Sequence, residues 1–134
     1  MNKHHTKEKG DLGVFKVAAD LADKGYNIFF SPSEHLPFDL IIYKDNAFKR
    51  VSIKYRKLTN NRIAVPFKSS WADKKGNHIK LIDKNEIDII AVFCPDTNKC
   101  YYIDPKNHNK SVYLSISKPV NNKKINFADD FLLP

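Results

Sequence analysis

Between positions 11 and 24 apolar residues recur at helical spacing: Leu12, Phe15, Ala18, Ala19 and Ala22. Lys16, Asp20, Asp23 and Lys24 take the opposite side, and Gly25 follows as a stop, because glycine accepts the left-handed conformation that closes a helix. The pattern predicts a helix over 11–24, preceded by a flexible basic arm over 1–9 in which His4 and His5 are solvated. The period then shortens. Asn27, Ile28, Phe29 and Phe30 predict a short buried strand. Residues 38–43 and 48–56 predict two strands around the turn Lys44-Asp45-Asn46-Ala47. A further strand is expected over 63–67, weakened by Pro66, which cannot donate to a ladder. The polar stretch 68–80, with Gly76, predicts a loop, and Asp83 with Glu86 a capped helical turn. Residues 88–94 and 99–103 predict a second hairpin, and 111–116 a last strand. There is no repeat, low-complexity segment or linker. A helix followed by a mixed sheet is an α/β (α+β) arrangement, read as one domain over 10–134.

Composition narrows the partners. The chain has 134 residues, 23 Lys and Arg against 15 Asp and Glu, and a net charge of +8, which favours a polyanion. Cys94 and Cys100 flank a turn-rich spacer and predict a reduced hairpin pair, with no His or further Cys nearby to complete a metal site. Residues 1–9 lack the apolar segment of a secretion signal, and no stretch approaches a membrane span. An intracellular protein is expected, neither secreted nor membrane-bound.

The hairpin over 38–56 carries the candidate chemistry. A turn centred between Asp45 and Asn46 sets Asp39 directly opposite Ser52, with Cβ atoms roughly 5 Å apart on one face. Lys54, Arg50 and Arg56 share that face, whereas Val51, Ile53 and Tyr55 point into apolar packing. An aspartate and a lysine held together on paired strands suit phosphodiester hydrolysis. The carboxylate would hold Mg²⁺, a hard ion that prefers oxygen ligands, and the lysine would orient water or stabilise developing charge. The alternative is a cross-strand ion pair on a solvated face.

The order of short motifs decides between these. Lys9-Gly10-Asp11-Leu12-Gly13, the helix, Lys24-Gly25-Tyr26, Pro37-Phe38-Asp39-Leu40 and Arg50-Val51-Ser52-Ile53-Lys54 resemble the PD-(D/E)XK endonuclease superfamily. So do Ser69-Ser70-Trp71, Asp88-Ile89-Ile90-Ala91-Val92, Tyr101-Tyr102-Ile103 and Ala128-Asp129-Asp130-Phe131 further along. The chain is most similar to the small group-I-intron homing endonucleases of that class, with archaeal Holliday-junction resolvases more distant. The resemblance implies a restriction-endonuclease-like core and a Mg²⁺-dependent DNA endonuclease in which Mn²⁺ can substitute. It further implies a homodimer or higher homo-oligomer that cuts double-stranded DNA to leave a 5′-phosphate and a 3′-hydroxyl. By position, Asp39 is implied as the metal-binding aspartate, Lys54 as the lysine of the tripeptide, and the Ile53 carbonyl as a further ligand.

Two positions depart from the pattern. Ser52 stands where an acid or Gln is expected, and would support the ion only through water. Val14 stands where the first-helix Glu is expected; Asp11 is the nearest acid, either as a ligand or as a charge at the helix N-terminus. The site is then sparse, or Glu34 supplies a ligand, or catalysis has been lost, or Ser52 was introduced to trap a complex. Phosphate contact is expected of Arg56, Lys57, Arg62, Lys68, Lys74 and Lys75, with Trp71 among them, against a solvated charged surface and, for Trp71, packing on the core. A non-catalytic DNA-binding module and a junction resolvase are the competing functions. An RNA-binding sheet is disfavoured, since it would present aromatics where this face carries Arg50, Ser52, Lys54 and Arg56.

Overall fold

Helix α1 (Thr6–Asp23) begins the computed structural model, which describes residues 6–118 and 124–134. Residues 6–9, expected in an arm, form the first turn of this helix; His4 and His5 lie outside the described residues. The buried line runs Gly13, Val17, Leu21 at intervals of one turn, flanked by Leu12 and Ala18. Phe15, expected on the inner face, is 68% exposed. The helix ends as Gly25 requires: at φ 88° it lets Tyr26 N–H reach Leu21 O and its own N–H reach Ala22 O.

Ten strands follow. They are β1 (Asn27–Phe30), β2 (Leu40–Lys44), β3 (Ala47–Tyr55), β4 (Arg62–Pro66), β5 (Lys68–Asp73), β6 (Gly76–Leu81), β7 (Ile89–Cys94), β8 (Lys99–Ile103), β9 (Ser111–Ser115) and β10 (Asn126–Phe127). The main sheet runs β1-β2-β3-β7-β8, antiparallel except for the parallel β3–β7 pair. A smaller sheet, β10-β9-β4, stacks on it, and β5 with β6 forms a separate two-stranded ribbon.

The main sheet is covered on both faces. Val17 and Leu21 pack with Leu40, Ile42, Val51, Ala91 and Phe93 on the helix side; Ile90, Val92, Tyr101 and Ile103 meet Ile63, Val65, Val112 and Leu114 on the other. Every residue of β7 is therefore buried, and its sequence is continuously apolar rather than alternating. Cys94 and Cys100 are free thiols, one in each core, on opposite faces of the sheet. Burial pushes the Cys100 thiol up to about 12. The described helix is not long and apolar enough to cross a membrane.

Two further expectations are corrected. β1 is an edge strand with three of its four residues exposed, not a buried strand, because only β2 pairs with it. Residues 68–80 are not a loop: Lys74-Lys75 makes a turn, and Trp71, Ile79 and Leu81 lie in the strands it joins.

Candidate active site

The turn of the β2–β3 hairpin places Asp45 and Asn46 at φ 53° and 64°, the left-handed pair that closes a two-residue connection. Leu40 then faces Val51, the last pair of the regular register. Asp39 N–H also turns onto Val51 O at 2.8 Å, one residue out of that register, so the chain leaves the ladder here and Asp39 does not take the place opposite Ser52 that the turn predicted. β2 goes no further. The next inward-facing N–H of β3, that of Ile53, would lack a strand partner, and the Asp39 carboxylate accepts it at 2.6 Å. Alternate residues of a strand direct both backbone groups the same way. The Ile53 carbonyl therefore opens into the gap that Asp39 borders.

Lys54 projects from the face of Ser52, beside its parallel partner Val92. Its Nζ donates to the Lys68 carbonyl, 2.9 Å away at the base of the ribbon. The alternative of a cross-strand ion pair is thus not what forms: this ammonium is held by backbone, and Asp39 acts on it through space. Burial pushes Asp39 above the ordinary carboxylate value, opposed by the Ile53 N–H and the Lys54 charge. Burial likewise lowers Lys54, with Arg56 adding to the effect and Asp39 opposing it. A carboxylate just before β2 and an ammonium on β3, each shifted toward its neutral form, are features that functional sites share.

The remaining residues are distributed as follows. Ser52 is half-buried between Asp39 and the β7 side of the strand. Asp11 is exposed in the second turn of α1, roughly 200° round the helix from Gly13, which rests on Ile53 and Tyr55. The structure does not bring Asp11 to Asp39, nor is Asp11 a charge on the first turn, where Glu8 stands. Val14 is half-buried, and Glu34 is exposed in the bend before β2. Among the described residues no group of three or more His, Cys, Asp or Glu converges. Arg50 grips Asp88 with two guanidinium contacts of 3.0 and 3.1 Å, which holds Asp88 below the carboxylate range and ties β3 to the start of β7.

Of the expected DNA contacts, Arg56 is half-buried beside Lys54, Lys57 is exposed, and Arg62 lies over the Tyr113 ring at 5.0 Å. Lys68, Trp71, Lys74 and Lys75 all belong to the ribbon, and all are exposed. Trp71 packs on His78 (ring centroids 5.2 Å, 21° apart), not on the core. The face that carries Lys54 also bears aromatics at its far end, where Tyr43 and Phe48 lie 4.6 Å apart. Sequence reasoning missed the Lys68 carbonyl, for which side-chain chemistry holds no signal. It also missed Gly13, whose one-turn spacing to Val17 and Leu21 marked the inner face.

A helix packed on a mixed sheet, with an aspartate and a lysine at the gap where a hairpin opens, defines the restriction-endonuclease-like α+β fold. The chain belongs to the PD-(D/E)XK endonuclease family, whose model matches residues 4–134. Among solved structures it is similar to a bacterial homing endonuclease, I-Ssp6803I, with a TM-score of 0.74 at 12% identity, over 96% of this chain and 88% of that one. At that identity the likeness is one of fold. Compared by sequence with curated proteins, the chain matches none.

Proposed function

We propose that the chain is a metal-dependent endonuclease that hydrolyses phosphodiester bonds in double-stranded DNA, site-specifically and in the homing manner. The observation that carries this reading is the Asp39 carboxylate on the Ile53 N–H, at the open end of β2 and beside Lys54. The donor set suits Mg²⁺ or Mn²⁺ held largely by water and substrate: one carboxylate, Asp39, and one carbonyl, Ile53, with phosphate oxygens completing the shell. Held there, such an ion would polarise the phosphate and acidify a bound water. Asp39 holds its charge in the gap and fixes the position of the Ile53 backbone. Lys54, directed by the Lys68 carbonyl, donates to the phosphate oxygen where negative charge grows or orients the attacking water. The Ser52 hydroxyl supports the hydration between them. Arg56, Lys57, Arg62 and the ribbon lysines supply phosphate contacts. Cutting both strands requires a second copy of the site, hence a homodimer or higher homo-oligomer.

A second reading is a DNA-binding module without catalysis. Ser52 and Val14, neutral at two usually acidic positions, favour it. Cleavage of supercoiled plasmids bearing intron-insertion-like sequences, with Mg²⁺ or Mn²⁺, separates the two. Metal-dependent cutting that disappears in Lys54→Ala and in Asp39→Asn supports the enzyme. Tight binding without cutting leaves the module.

A further inference from the structure

The β5–β6 ribbon stands clear of both sheets, and all but one of its strand residues are exposed. From 68 to 81 it carries Lys68, Lys74, Lys75 and Lys80 against a single acid, Asp73. Asp73 faces Gly76, leaving Lys74-Lys75 as a two-residue tip, with Gly76 at φ 117°. Strands of six residues extend about 20 Å, and a two-stranded ribbon is narrow enough for the DNA major groove, about 12 Å wide and 8.5 Å deep. The outer half can sit in a groove while the base remains against Lys54.

The two faces of the ribbon differ. One carries Ser69 opposite Lys80 near the base and Trp71 opposite His78 further out, where the polar atoms are committed to one another: His78 Nε2 lies 2.9 Å from Asp73 Oδ1, which also accepts the Lys75 N–H at 2.7 Å. This closed set stiffens the turn. The other face pairs Ser70 with Ile79 and Ala72 with Asn77. Ile79 is 67% exposed, and the Asn77 carboxamide is exposed with no hydrogen-bond partner among the described residues. An asparagine amide offers the donor and acceptor that match adenine N6 and N7, and small methyl-bearing side chains meet the thymine methyl. Opposite Asn77 stands only Ala72, so nothing screens the amide from a base edge.

Resting on the nuclease reading above, we infer that this ribbon is the sequence-reading element. It enters the major groove with the Ala72/Asn77/Ile79 face on the base edges, Asn77 reads an adenine, and Lys74 and Lys75 grip the flanking phosphates. The Trp71–His78 face acts as the stiffener and reads nothing. Lys54, held on the Lys68 carbonyl, ties the same ribbon to the catalytic strand.

The test is selection from a duplex library with a randomised segment, in EDTA so that binding is read apart from cleavage. The native chain should enrich a defined sequence. Asn77→Ala should lose the preference for adenine at one position, by roughly 5- to 100-fold, and keep the rest. Lys74→Ala and Lys75→Ala should weaken all sequences alike and each reduce the salt slope by about one. Circular dichroism checks that these exposed substitutions leave the fold intact. An unchanged preference in Asn77→Ala overturns the inference, as does a preference altered by the lysine variants alone. Binding without preference overturns it and leaves the nuclease standing. Neither binding nor metal-dependent cutting brings down both.

Discussion

Lys54 Nζ sits 2.9 Å from the carbonyl oxygen of Lys68, so the lysine of the candidate site is held by the first residue of the ribbon rather than by an acid. A backbone acceptor survives substitution of its own side chain. Lys68→Ala should therefore weaken DNA binding through a lost phosphate contact while leaving the single-turnover cleavage rate within about 3-fold. Lys54→Met should lower that rate by about 100-fold or more with DNA affinity little changed, the scale of removing one oriented charge donor. Single-turnover kinetics beside filter binding separate the two. Equal rate losses in both variants would sink the assignment.

Asp39 illustrates a stability cost at a working site. Its value in the fold lies above the unfolded one, about 3.9. Its stabilising contribution is present at low pH and is lost as pH rises through the folded value. Ionised Asp39 is then a burden at neutral pH, and Asparagine can still accept the Ile53 N–H. Asp39→Asn should abolish cleavage yet raise the thermal midpoint at pH 7, with the difference closing toward pH 3. A thermal melt series across pH checks the sign. A lower midpoint at neutral pH refutes it.

Ser52 precedes Ile53, whose N–H the Asp39 carboxylate accepts, and carries no charge. Ser52→Glu should tighten Mn²⁺ binding about 10-fold or more by adding a second carboxylate, read by isothermal titration of the protein without DNA. Without metal the same variant should push Asp39 further up, because two carboxylates then share one gap. No gain in affinity would mean that position 52 does not face the ion.

Gly13 lies inside α1 with its hydrogen in the place of a Cβ, which would meet Ile53 Cγ2 and Tyr55 Cβ at 3.7 Å, an ordinary contact. Gly13→Ala should therefore stabilise by about 0.5–1 kcal/mol through helix propensity. Gly13→Leu should destabilise by about 1–3 kcal/mol, since the larger side chain must displace the helix from β3. Urea midpoints for the two variants should move in opposite directions.

The local pattern determined much of this protein. The Asp45-Asn46 turn set the hairpin register from Lys44–Ala47 to Leu40–Val51, and the strand period put Lys54 on the face of Ser52, because turn geometry and the two-residue strand period are local properties. Gly25 marked the helix end for the same reason. The family was legible in the order of its motifs. Tertiary packing decided the rest. Which side of α1 is buried followed from the close seat of Gly13 on β3, and Phe15 was left outside. That β1 is exposed depended on its edge position in the sheet order. That 68–81 is a ribbon depended on cross-strand pairing between residues whose polar composition reads as loop. The partner of Lys54 was invisible for a deeper reason: a backbone carbonyl is present at every residue, and only the folded chain selects the one at Lys68.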